Sequence, residues 1–178
     1  MSTRDRPVAG PGVTRTFGAG KLSLMGVLAV CIAVVGAWAG IVPYVGAFFG
    51  FGMGDAPAWQ WTTDRAILNL IPGAAAVLAA LILSGSLLPL ALGGGRALSA
   101  FAALLAMVAG AWLVLGPSAL SAIIGPTGVP APHGGAGWVF TQLVGYHLGP
   151  GILLAVLGAW VMGLLPRGGI RRHRPVLQ

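Results

Sequence analysis

Four long runs of apolar residues constrain this chain more than any other feature. They extend over residues 22–42, 66–88, 97–116 and 143–165. A helix that rises about 1.5 Å per residue needs about 20 apolar residues to cross a hydrocarbon core of roughly 30 Å. Each run reaches that length, so the sequence predicts four transmembrane helices.

The charge composition excludes a soluble domain. Only 7% of the residues are charged and 57% are hydrophobic, whereas about 25% of a soluble domain is charged. A net charge of +7 could suggest a nucleic-acid partner. The basic residues form no stripe and lie at the chain ends and beside the apolar runs, a pattern typical of membrane orientation. We therefore predict an all-α, polytopic membrane protein whose partner is the lipid bilayer, with no nucleic acid bound.

The distribution of Lys and Arg residues also predicts the orientation of the chain in the membrane. Nine of the ten lie in the N-terminal tail, the loop between the second and third runs, or the C-terminal tail, and only Arg65 lies on the other side. The positive-inside rule then predicts a cell-membrane protein with both termini in the cytoplasm. The first run is too long for a cleaved signal peptide. We expect one domain over residues 22–165, with disordered basic tails at 1–21 and 167–178.

Two-helix segments of the chain resemble each other. Gly36-Ala37-Trp38 recurs as Gly110-Ala111-Trp112, and Pro72-Gly73 recurs as Pro150-Gly151 at nearly the same displacement along the chain. Chance similarity between Ala/Gly/Leu-rich helices is the alternative, but Trp and Pro are rare residues in such sequence. We predict a tandem repeat of one two-helix unit, with parallel copies related by an axis along the membrane normal.

The repeats would cover about 22–89 and 97–166, and in this spacing the chain resembles the small bacterial membrane proteins of the SPW-repeat type. Val42-Pro43-Tyr44 and Gly116-Pro117-Ser118 stand where that family has Ser-Pro-Trp, so neither copy keeps the tripeptide. The resemblance implies architecture and no biochemical activity. The absence of Glu and the preference for Arg over Lys also indicate a bacterial source.

Prolines and small residues predict how the helices end and pack. The first three helices are expected to end at Pro43, Pro89 and Pro117, with short interfacial helices at 43–50 and 117–125. Pro72-Gly73 and Pro150-Gly151 lie inside helices, so we predict kinks there. Small residues four apart mark helix seams. These rows are Gly36 and Gly40; Ala102, Ala106 and Gly110; and Gly151, Ala155, Ala159 and Gly163.

Asn69 and His147 form the sharpest candidate site. They are displaced by the same interval as Pro72 and Pro150, and each precedes one of these helix-breaking prolines. Polar groups in hydrocarbon are costly and usually face the bundle interior. One interpretation is a small polar site that protonation of His147 could switch. The other is that both side chains bond carbonyls freed by Pro72 and Pro150, and we favour this second interpretation.

Most aromatic residues lie on the predicted outer side, where they indicate an interfacial belt. An apolar outer groove for a lipid or partner helix is an alternative use. The belt tryptophans are Trp38, Trp59, Trp61, Trp112 and Trp138.

No catalytic, metal-binding or cofactor motif is recognisable, and we predict none of the three. Asp55, Asp64 and His133 lack the local spacing of a metal site. We therefore predict a non-enzymatic structural or accessory membrane protein, as an oligomer or with a membrane-protein partner. The alternative is a small transporter, channel or lipid-binding protein that uses the Asn69/His147 level.

Overall fold

The computed structural model describes residues 18–52, 57–125 and 135–165. These residues form four long helices and no strand, and each helix is long and apolar enough to cross a membrane. The all-helical prediction and the number of spans are therefore confirmed. The tails at 1–17 and 166–178 lie outside the described residues. The helices are α1 (Ala19–Val45), α2 (Thr63–Ala91), α3 (Arg96–Ile124) and α4 (Ala136–Leu164).

The prediction that three helices end at proline is wrong. Pro43 lies inside α1, Pro89 lies inside α2, and α3 continues past Pro117 to Ile124. A proline removes one donor and crowds the preceding turn. In hydrocarbon, however, the next N–H groups find no better acceptor than the helix itself, so the helix continues.

The predicted interfacial helices are corrected for the same reason. The residues after Pro117 belong to α3, and α1 passes Pro43 before it ends in a 3-10 turn at Gly46–Phe49. At the other end, α1 begins at Ala19, so the last residues of the predicted N-terminal tail are helical.

The helices form a bundle in which α1 packs against α2, α2 against α3, α3 against α4, and α4 against α1. The α1/α2 and α3/α4 seams are the most extensive, and both depend on glycine. A Cβ at Gly73 would lie 2.6 Å from the Gly40 Cα, and one at Gly110 would lie 2.5 Å from the Gly151 oxygen. Larger residues would force these helices apart, so the small-residue prediction holds for α1 and α3.

The predicted small-residue row of α4 leaves its seam. Gly151 is buried, but Ala159 and Gly163 are exposed. Gly158 takes their place, because a Cβ there would lie 2.7 Å from the Ala103 oxygen of α3. Four residues turn an α-helix by about 400°, so a strict four-residue row drifts about 40° per step away from the partner helix.

Polarity divides the bundle into two ends. The basic end carries Lys21 and Arg96, and there the buried hydroxyls of Ser86 and Ser99 lie 2.7 Å apart beside the α2/α3 turn. The aromatic end carries the α1/α2 and α3/α4 connections and most of the tryptophans. The candidate site residues lie between the middle of the bundle and the aromatic end.

Candidate functional site

Both α2 and α4 contain one π-helical turn, and these turns occupy equivalent positions. They span Ala66–Leu70 and Val144–Leu148, and a proline follows each turn at the same distance along the chain. One such turn precedes each of the two prolines, Pro72 and Pro150, at which the sequence predicts a kink. Such π-bulges often mark functional positions in helices.

Each π turn frees backbone carbonyls. Ile71 donates its N–H to the Ala66 oxygen, five residues back, so the Ile67 oxygen loses its ordinary helical donor. In α4, Gly149 bonds Val144 in the same way, and the Gly145 oxygen is freed. The prolines have no N–H, so they also free the carbonyls four residues earlier, those of Leu68 and Tyr146.

Two tryptophans bond freed carbonyls across the bundle. Trp112 of α3 donates its Nε1–H to the Ile67 oxygen of α2 at 3.0 Å, and Trp38 of α1 donates to the Gly145 oxygen of α4, also at 3.0 Å. Each tryptophan thus bonds the helix break of the other two-helix segment. Their rings remain 40% and 46% exposed, so they also belong to the aromatic surface.

Asn69 bonds a third freed carbonyl. Its side chain is buried, and its Nδ2 lies 3.5 Å from the Tyr146 oxygen, the carbonyl that Pro150 frees. This distance is long for a hydrogen bond and indicates a weak one. The contact brings Asn69 beside the α4 break that contains His147, so the two predicted residues lie at the same level of the bundle.

Asn69 and the two tryptophans bond carbonyls that the helix breaks free, but His147 shows no such bond among the described residues. It is 6% exposed, and its Nδ1 has no hydrogen-bond partner in the described part of the chain. A buried polar atom without a partner costs about 1–3 kcal/mol. The hydrogen-bonding capacity of this nitrogen is therefore unsatisfied within the described part of the chain.

The sequence did not predict a cap at the aromatic end. The Phe51-Gly52 backbone folds back onto α4, where Gln142 Nε2 donates to the Gly52 oxygen at 2.7 Å and the Tyr146 hydroxyl donates to the Phe51 oxygen. The Phe51 ring stacks on Tyr146 with centroids 5.3 Å apart and meets Trp138 edge-on at 5.8 Å. The signal in the sequence for this cap was the spacing of Gln142 and Tyr146, two polar residues one helical turn apart in an apolar run.

A second cluster at the aromatic end surrounds Arg65. Its guanidinium is buried, and its Nη1 donates to the Gln60 oxygen at 3.1 Å and to the Pro57 oxygen at 3.5 Å. Tyr44 of α1 accepts the Trp59 N–H at 2.9 Å through its own carbonyl. The Tyr44 hydroxyl is buried without a hydrogen-bond partner among the described residues. The sequence identified Arg65 only as an orientation signal.

The remaining belt tryptophans are also exposed, at 65% for Trp59, 67% for Trp61 and 42% for Trp138. Asp55 and His133 lie outside the described residues. Among the residues that the structure describes, no three His, Cys, Asp or Glu side chains gather as metal ligands would.

Apolar grooves follow the helix seams. Trp38 and Pro150 line one of about 380 Å³ between α1 and α4, and Trp112 and Pro72 line one of about 230 Å³ between α2 and α3. A third, of about 440 Å³, follows the α1/α2 seam beside Gly40 and Gly73. The first two grooves lie at corresponding positions, because Trp38 with Trp112 and Pro150 with Pro72 are pairs of the predicted repeat.

In comparisons with known proteins, no protein-family model, no curated protein and no solved structure matches the chain.

Proposed function

We propose that this chain is a non-enzymatic structural or accessory component of the bacterial cell membrane. The observation that carries the proposal is the use of the polar groups in the middle of the bundle. Trp38, Trp112 and Asn69 all bond carbonyls that the helix breaks free. Polar side chains that bond backbone carbonyls in this way hold the bundle together and are not available to bind a solute.

The same crossed bonds support an internal repeat of SPW type as part of the proposal. In the proposed repeat, Trp38 corresponds to Trp112, and the residues that hold their acceptors, Gly145 and Ile67, also correspond. The displacements of the two pairs along the chain differ by about one helical turn. A two-helix unit that pairs with its own copy around a twofold axis would make this pattern twice. The cytoplasmic placement of both termini rests on the positive-inside distribution of Lys and Arg.

The proposal is tested with the full chain purified in mild detergent. Native mass spectrometry should find a defined oligomer or a reproducible membrane-protein partner and no stoichiometric small solute. In proteoliposomes loaded with a pH-sensitive dye, wild-type protein should leave proton permeability at the level of protein-free vesicles. A proton flux that His147→Gln abolishes would overturn the accessory function.

A small transporter or channel is the second candidate, and the observation that favours it is that the Nδ1 of His147 has no hydrogen-bond partner among the described residues. Discontinuous helices near the membrane midplane often hold the binding sites of transporters. Four helices enclose little space, so this function would need a dimer. Asn69→Leu tests the second residue of this level and should reduce the flux as well, whereas Trp160→Phe, at an exposed position outside the site, is the control.

A further inference from the structure

We propose that the α1/α2 seam at the aromatic end binds one phospholipid, with its phosphate on Arg65 and Tyr44 and an acyl chain in the groove below. This inference uses polar groups other than Asn69 and His147. It holds whether the chain acts as an accessory protein or as a transporter.

The polar half of the site is an arginine with unused donors. A guanidinium has five N–H groups, and in Arg65 the two on Nη1 serve the Gln60 and Pro57 carbonyls. The donors on Nε and Nη2 have no acceptor in the part of the chain that the structure describes. Asp64, the preceding residue, is engaged in a contact of its own.

A buried charge that only carbonyls contact is costly, and an anion offsets that cost. Arg65 is 6% exposed, and a phosphate oxygen pair fits the planar fork of a guanidinium. The Tyr44 hydroxyl adds a second donor. It is 6% exposed and has no hydrogen-bond partner among the described residues. The segment that Arg65 bonds through the Gln60 oxygen also contacts Tyr44, through the Trp59 N–H and the Trp61 ring.

The apolar half is the α1/α2 groove, whose nearest lining residues on each helix lie about one turn along the chain from these two groups. The α1/α2 groove has a volume of about 440 Å³, and every residue that lines it is Gly, Ala, Val, Ile or Leu. On α1, Tyr44 follows the lining residues Gly40 and Ile41 on the same helical face. On α2, Arg65 stands five residues before the lining residue Leu70, one π-helical turn away.

The groove exists because the seam is narrow at its glycines. Gly40 and Gly73 bring the two backbones together, so the larger side chains Leu78 and Leu81 on α2 form one wall of the open groove. Leu78 and Leu81 are 52% and 64% exposed. An acyl chain covers such a surface, and its headgroup would then lie at the level of Arg65. Charge complementarity at Arg65 and the apolar groove about one helical turn away together point to a phospholipid.

The test is a titration of delipidated full-length protein by native mass spectrometry. Three probes separate the sources of the ligand chemistry: phosphatidylglycerol, a diacylglycerol with the same acyl chains, and inorganic phosphate. We expect one phosphatidylglycerol to bind at low concentration. Diacylglycerol should bind at least tenfold more weakly, and inorganic phosphate should not bind in the same range.

Variants assign the binding to this seam. Tyr44→Phe removes a hydroxyl that bonds nothing in the described protein, so the fold should persist while phosphatidylglycerol binding weakens about tenfold. Ala74→Leu fills the groove and should weaken binding as well. Ala111→Leu, at an exposed alanine of α3, is the matched control and should bind like wild type.

Wild-type affinity in both Tyr44→Phe and Ala74→Leu would overturn the proposal. Equal affinity for diacylglycerol and phosphatidylglycerol would also overturn it, because the phosphate would then contribute nothing. Inorganic phosphate that binds as tightly as the lipid, and loses affinity in Tyr44→Phe, would assign the site to a free anion instead.

Discussion

Replacing Gly73 with alanine should separate α1 from α2 and destabilise the bundle. A Cβ at this position would lie 2.6 Å from the Cα and N of Gly40 and 2.7 Å from the Gly36 oxygen, and all three atoms belong to backbone. A backbone atom cannot rotate away as a side chain does. The helices must therefore move apart until these contacts approach the 3.4 Å of ordinary van der Waals contact.

The magnitude follows from two opposing effects. Overpacking of a close interface costs about 1–3 kcal/mol, and alanine gains about 0.5–1 kcal/mol over glycine within a helix. Gly85→Ala is the control, because it lies in the same helix and a Cβ there meets nothing within 4 Å. Relative to Gly85→Ala, Gly73→Ala should lose about 1–3 kcal/mol of unfolding free energy, since only Gly73 is overpacked.

Unfolding free energies would be measured by titrating the purified protein with SDS in mixed micelles and following tryptophan fluorescence. Gly151→Ala gives an intermediate case, because its Cβ would meet one backbone atom, the Gly110 oxygen at 2.8 Å, and the movable Val114 side chain at 2.7 Å, whereas Gly73 meets three backbone atoms. We expect stability to fall in the order Gly85→Ala, Gly151→Ala, Gly73→Ala. Equal stability of Gly73→Ala and Gly85→Ala would refute the inference that backbone contact fixes this seam.

Three further predictions concern polar contacts. Trp112→Phe leaves the Ile67 oxygen without its donor and should cost about 1 kcal/mol of unfolding free energy in the same SDS titration. Trp160→Phe, at an exposed position, is the control and should cost less. Equal losses in the two variants would contradict a stabilising role for the Trp112 bond. In a double-mutant cycle, Ser86→Ala and Ser99→Ala should couple by about 0.6 kcal/mol, and additive losses would mean that their 2.7 Å contact contributes nothing. Tyr146→Phe removes the bond to the Phe51 oxygen, so amide exchange in residues 46–52 should accelerate, and unchanged exchange would show that ring stacking alone holds the cap.

The helix breaks show how far sequence reasoning reaches. The sequence predicts breaks at Pro72 and Pro150 and predicts that Asn69 bonds a freed carbonyl. It could not identify which carbonyl, because Asn69 bonds the Tyr146 oxygen of the other break, far along the chain. It also assigned Trp38 and Trp112 to the lipid interface alone. Their bonds depend on which helices become neighbours, and local pattern does not contain that information.

The sequence by itself determined the helical class and the number of helices that are long and apolar enough to cross a membrane. Apolar runs of membrane length leave the backbone no alternative to internal hydrogen bonds, so they must be helices wherever they lie. Only the tertiary structure decided what happens at the prolines and at the aromatic end. Whether a helix continues past Pro117, and whether Arg65 and Tyr44 are buried, depends on which partner atoms the neighbouring segments provide.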